Sequence, residues 1–110
     1  MQQRILFAAA AFALATATHA QTKWDMPTPY VDSEFHTQNI RMLADEIKKA
    51  SNGQLEIVVH SGQSLIKHPD ILRAVSSGQV PIGEFLLGQF SNEDPMFEVD
   101  NIPFVAVGYP

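Results

Sequence analysis

The feature that most constrains the fold is a junction. A stretch with helical spacing stops at Asn52-Gly53, and a run rich in β-branched residues, Leu55 to His60 (LEIVVH), begins at once. His36, Ile40, Leu43, Ala44 and Ile47 recur at the three-and-four spacing that gathers side chains on one helix face, and Lys48 and Lys49 fall in its last turn. Asn52-Gly53 can adopt the left-handed backbone that ends a helix. LEIVVH then reads as a mostly buried strand. Such a strand needs a partner, and the segment before the helix supplies one. Trp24 to Tyr30 reads as an opening strand whose prolines, Pro27 and Pro29, put its end near Met26 to Thr28. Asp32 or Ser33 is placed to cap the helix, with Glu34 in its first turn where the helix dipole favours an acid.

Further along, Ser61-Gly62-Gln63-Ser64 is loop, and Pro69 suits the start of a second helix with Ile71, Leu72 and Val75 as its apolar stripe and Ser77-Gly78 as its end. Val80 to Leu87 (VPIGEFLL) is expected as a third strand, with Pro81 near its start. Strand, helix, strand, helix, strand with short links predicts an α/β fold, a three-stranded, mainly parallel sheet flanked by helices. Ligands of such sheets sit outside the carboxyl ends of the strands. That rule points to the loops after Thr28, after His60 and after Glu84. Gly88 to Pro110 is loop-rich, with an acidic turn at Asn92 to Pro95 and an apolar stretch from Ile102 to Val107. Phe85, Phe97 and Phe104 are expected in the core.

The chain's ends and composition bound its role. Arg4, an apolar run from Ile5 to Ala17 and the small residues of Thr18-His19-Ala20 have the layout of a secretory signal, cleaved after Ala20. The apolar run is shorter than the roughly 20 residues a bilayer span requires. Residues 21–110 retain 6 basic and 12 acidic residues, since Arg4 is the only charge removed, so the net charge is −6. This balance argues against nucleic acid and anionic membranes as partners. The absence of cysteine excludes disulfides, thiolate metal sites and cysteine nucleophiles. Residues 21–110 suffice for one small domain but not for a large pocket with two walls, and the sequence reads as a fragment.

Several passages carry a family resemblance. Asp45 to Ile57 (DEIKKASNGQLEI) is similar to the "EEI-K-xSxGxIxI" passage of the solute-binding proteins of TRAP (tripartite ATP-independent periplasmic) transporters, dicarboxylate-binding type. Ser61 to Leu65 (SGQSL), Ala74 to Gly83 (AVSSGQVPIG), Asp94 to Phe97 (DPMF) and Ile102-Pro103-Phe104 resemble that family's passages in the same order. The resemblance implies a periplasmic-binding-protein-like receptor of two lobes that closes on a small organic acid, a mono- or dicarboxylate, aromatic and hydroxylated acids included, and passes it to membrane-embedded permease subunits. Residues 21–110 would be the N-terminal part of the first lobe. The second lobe would supply the arginine that grips the ligand carboxylate, and neither Arg41 nor Arg73 matches its position. No cofactor and no metal are implied.

The candidate ligand-binding residues are Pro29, Tyr30, Lys67, His68, Glu84, Phe85 and Leu86. Glu84 interrupts an apolar run, and a buried carboxylate must be paired or reach a crevice. It either meets the solute or serves as a structural partner. His68 starts the second helix, with Lys67 beside it, and in the family this loop meets the ligand. Pro29 and Tyr30 match the loop lining the family's cleft, where Tyr30 offers a ring face and a hydroxyl. Two other readings compete. A secreted hydrolase or metal-dependent enzyme on the same sheet would need His60, His68 and Glu84 to converge, although the sequence holds no HExxH or GxSxG. A surface interaction module would present a filled, dry sheet edge.

Overall fold

A computed structural model describes residues 20–105 and Gly108. Apart from Ala20, the expected signal segment lies outside the described residues, as does the end of the Ile102 to Val107 stretch. Two parallel strands, β1 (Thr22–Pro27) and β2 (Leu55–His60), pair from Thr22 opposite Leu55 to Pro27 opposite His60. Helix α1 (Phe35–Ala50) joins them, and α2 (His68–Ser76) follows β2. Two 3-10 helices, Leu87–Phe90 and Pro95–Asn101, come last.

Of the expected helical stripe, Ile40, Ala44 and Ile47 turn toward the sheet, joined by Thr37, while Leu43 is exposed and His36 is half-buried against Tyr30. Ile40 and Ala44 pack on Met26 and Ile57, with Trp24, Ile47, Val59 and Ile82 around them. A second cluster of Ile66, Ile71, Ala74 and Val80, flanked by Val75 and Phe85, seats α2. The left-handed stop is present at Asn52 (φ 53°) and Gly53 (φ 76°), where the Gly53 amide donates to the Lys48 carbonyl at 2.8 Å. The cap of α1 differs from expectation. Glu34 is the N-cap residue, without a side-chain hydrogen bond, because the Asp32 carboxylate accepts from Arg41 Nη2 at 2.6 Å instead.

The larger correction concerns the sheet, which has two strands and not three. Residues 82–86 run alongside β1, but a single backbone bond joins them, from the Glu84 amide to the Pro27 carbonyl at 3.0 Å. Parity explains this. Thr22 and Thr28 donate their amides toward the β2 side, so the odd-numbered residues of β1 face residues 82–86. At the carboxyl end the facing positions are Pro27 and, just past the strand, Pro29, which have no N–H to give, and the Leu86 amide bonds to His68 instead. Side-chain packing replaces the missing ladder. A Cβ on Gly83 would lie 2.8 Å from Ile71 Cγ2, 3.1 Å from Val75 Cγ2 and 3.6 Å from Pro27 Cγ, so only glycine lets this segment approach α2 so closely.

With two strands the sheet leaves an open edge, and Ile57 is the one fully buried residue of β2. Among the expected core phenylalanines, Phe85 and Phe97 are half-buried. Phe104 is 91% exposed, because no described residue covers it.

Candidate functional site

The carboxyl ends of β1 and β2 are tied into one surface by backbone bonds. The Thr28 amide donates to the His60 carbonyl at 3.0 Å, the Gln63 amide to the Thr28 carbonyl at 3.1 Å and the Gly62 amide to the Tyr30 carbonyl at 2.7 Å. Gly62 (φ 61°) and Gln63 (φ 59°) are consecutive left-handed residues, and for Gln63 that conformation costs about 1 kcal/mol. Its side chain helps to offset this, since Oε1 accepts the His68 backbone N–H at 3.0 Å and docks the start of α2 on the turn.

Thr28 organises the polar groups. Its side chain is fully buried, its Oγ1 accepts the Tyr30 amide at 3.3 Å, and its hydroxyl donates to Glu84 Oε2 at 2.6 Å. With its amide on Pro27 and a carboxylate oxygen on Thr28, Glu84 is held at two adjacent points. Its other oxygen, Oε1, takes no hydrogen bond among the described residues and remains available as an acceptor. Tyr30 lies alongside, its ring stacked on His36 with centroids 4.4 Å apart and planes 18° apart. Burial, then the charges of Glu84 and Glu34, raise the Tyr30 pKa above its ordinary value of 10.0, so the phenol stays a protonated donor across the physiological range.

A buried hydroxyl from α1 fixes the Tyr30 backbone. Thr37 Oγ1 donates to the Tyr30 carbonyl at 3.1 Å and is fully shielded from water. Thr37→Val should destabilise the protein by about 1 kcal/mol, read as a lower urea midpoint with unchanged slope. A neutral result would mean that the Tyr30 loop is held without this bond.

Of the residues read from the sequence, Tyr30, His68, Glu84 and Leu86 are brought together, and Pro29 is half-buried in the loop beside them. His68 Nε2 accepts the Leu86 amide at 3.1 Å, and its ring lies 6.5 Å from Tyr30 and 6.2 Å from Phe90. Lys67 is elsewhere: it is the N-cap residue of α2 and lines a shallow depression of about 430 Å³ with Asp70 and Arg73. Phe85 packs against the α2 core cluster and edge-on to Phe90, with centroids 5.0 Å apart. Thr28 and Gln63 emerged from the structure alone. A threonine between two prolines was the available signal for the first.

His60, His68 and Glu84 each have a separate partner, His60 Nε2 lying 2.7 Å from Asp25 Oδ1. Among the described residues no group of three His, Asp or Glu side chains could hold a metal ion. Two further depressions, of about 320 and 430 Å³, lie along α1 and β2 and beside Phe97. None of these three hollows is lined by Tyr30, His68 or Glu84. The strand-end cluster is a wall, and one wall makes a surface and not a cavity.

A parallel sheet flanked by helices, with polar groups gathered outside its strand ends, is an α/β arrangement, and its matches to solved receptors make it periplasmic-binding-protein-like. Comparison with known proteins narrows this class. Residues 30–107 match the family model described as "Bacterial extracellular solute-binding protein, family 7". The chain belongs to this family, that of the TRAP solute receptors. No curated protein matches.

Among solved structures, DctP6 of Bordetella pertussis, an extracytoplasmic solute receptor binding pyroglutamic acid, is 46% identical with a TM-score of 0.76 over 80% of this chain and 29% of its own. A second such receptor from that organism, DctP7, is 47% identical with a TM-score of 0.73 over 77% and 28%. A marine metagenome TRAP solute-binding protein, specific for pyroglutamate and crystallised with co-purified pyroglutamate, is 43% identical with a TM-score of 0.78 over 82% and 30%. The chain thus spans less than a third of these receptors' length. Among the described residues no helix is long and apolar enough to cross a membrane.

Proposed function

We propose that the chain forms one wall of the cleft of a periplasmic TRAP receptor that captures a small organic acid, with pyroglutamate as the first candidate, for membrane-embedded permease subunits. The observation that carries this reading is Glu84. Its Oε2 is occupied by the Thr28 hydroxyl and its Oε1 takes no hydrogen bond among the described residues, so it offers a fixed acceptor to an N–H or O–H of the solute beside the ring and hydroxyl of Tyr30. A lactam acid such as pyroglutamate has that donor, and relatives of this chain bind it. Pro29 and Leu86 border the same surface.

The grip on the ligand's carboxylate comes from outside this wall. Arg41 is engaged by Asp32, and Arg73 lies on α2 beside the hollows away from Tyr30. A bidentate arginine from the opposing lobe is the partner such an acid requires. Export through the first twenty residues, with cleavage after Ala20, belongs to the same reading, as does a role as receptor and not as catalyst.

The test is a thermal-shift and calorimetric screen of the full-length protein against L-pyroglutamate, other mono- and dicarboxylates, sugars and amines. A ligand that binds only the folded form raises the melting temperature, and at a hundred times its Kd the stabilisation is about 2.7 kcal/mol. Pyroglutamate or another carboxylate should give that rise. A response to sugars or cationic amines alone would sink the proposal.

A further inference from the structure

We propose that His68 is a positioning residue of the cleft wall: as the neutral imidazole protonated on Nδ1, it accepts the Leu86 backbone N–H and so holds the segment carrying Glu84 against α2. The site this wall serves rests on the receptor reading above, but the hydrogen-bond chemistry does not. A backbone N–H can only donate, so the ring nitrogen 3.1 Å away must offer its lone pair. Protonating Nε2 would turn an acceptor into a second donor and set the two against each other.

Three attachments make His68 a junction between segments. Its own amide is held by Gln63 Oε1 in the strand-end turn at 3.0 Å, and its ring meets Phe90 edge-on at 6.2 Å and Tyr30 at 6.5 Å. Through Leu86 it reaches a segment otherwise tied to β1 by one backbone bond. Losing the imidazole acceptor therefore leaves residues 84–87 with few attachments, and Leu86 itself is already 48% exposed.

The charged and titratable groups around it are Tyr30, with His36 and Glu34 beyond it, from the first loop and α1, Glu84 from the 82–86 segment, and Lys67 and Asp70 on α2. Burial alone lowers the His68 pKa from its ordinary 6.5. The unfolded chain therefore takes up this proton first as the pH falls. The stabilising contribution is complete above 6.5 and is lost as the pH drops through that value toward the lower folded-state pKa.

The experiment uses the full-length protein, wild type, His68→Gln and His68→Leu, at about pH 8 and about pH 5. Gln carries an acceptor that does not protonate, and Leu carries none. Without ligand, nitrogen NMR at the higher pH should show Nδ1 protonated and Nε2 bare. Exchange of the Leu86 amide, corrected for its intrinsic pH dependence, should quicken about fivefold in acid for the wild type, stay slow in the Gln variant and be fast at both pH values in the Leu variant. L-pyroglutamate affinity should follow, falling about fivefold in acid for the wild type and remaining flat for Gln.

An Nε2–H tautomer, or Leu86 exchange indifferent to both acid and His68→Leu, would overturn the assignment. So would affinity that rises in acid, the mark of a cationic ligand contact. A wild-type protein that bound no organic acid would reject the receptor reading only, because tautomer and exchange are measured without ligand.

Discussion

Replacing Glu84 by glutamine is expected to weaken L-pyroglutamate binding by the full-length protein about ten- to a hundredfold, the range for losing a hydrogen bond to a charged partner. The substitution keeps the side chain's shape and leaves an oxygen for the Thr28 hydroxyl, so the wall should remain in place. It removes the negative acceptor offered to the solute. Tyr30 supplies a ligand-free control. The charge of Glu84 contributes to the raised Tyr30 pKa, so the phenol should titrate at lower pH in Glu84→Gln, followed by NMR of ring-labelled tyrosines with the Tyr30 signal assigned by its loss in Tyr30→Phe. An earlier Tyr30 titration with unchanged affinity would confine Glu84 to holding the wall together and remove it from ligand recognition.

Gly83→Ala should destabilise the fold by about 1–3 kcal/mol, the usual range for overpacking a filled site. The new methyl would meet Ile71 Cγ2 at 2.8 Å and Val75 Cγ2 at 3.1 Å, and Ile71 is completely buried with no direction in which to yield. Ile71→Leu moves the branch away from the β-carbon and should relieve part of the clash. The double variant is therefore expected to be more stable than the sum of the two single losses by about 0.5 kcal/mol or more, measured by urea denaturation. A neutral Gly83→Ala would mean that the segment lifts from α2 without cost.

These expectations depend on features of unequal visibility in the sequence. The helices and β2 were legible because each has a period or a composition that few other structures share. LEIVVH occupies the expected six positions, and α2 begins one residue before the proline that announced it. The third strand was misread because VPIGEFLL has the composition of a strand but lacks a donor edge to join. That deficit depends on which residues of β1 face outward, a parity set by pairing with β2.

The site was legible in part for the same reason. Glu84 and Tyr30 stood out by chemistry and by resemblance. The hydroxyl linking Glu84 to β1 belongs to Thr28, 56 residues away. Lys67 and His68 are neighbours at the start of a helix, where a single step turns the side chain through about 100°, and only the fold shows which of them meets Leu86. His68 acting as an acceptor was beyond sequence reasoning, because its partner is a backbone amide 18 residues on.

The double hold on Glu84 joins mechanical attachment to recognition. The residue that fastens its segment to the sheet, by its amide on Pro27 and its side chain on Thr28, is also the residue whose second carboxylate oxygen, unbonded among the described residues, we propose as the solute's acceptor. Local peeling of this segment would withdraw the proposed acceptor in the same movement, since both attachments belong to one residue. On the proposed function, occupancy of the cleft and attachment of this segment would be coupled, and ligand should slow the exchange of one amide, that of Glu84.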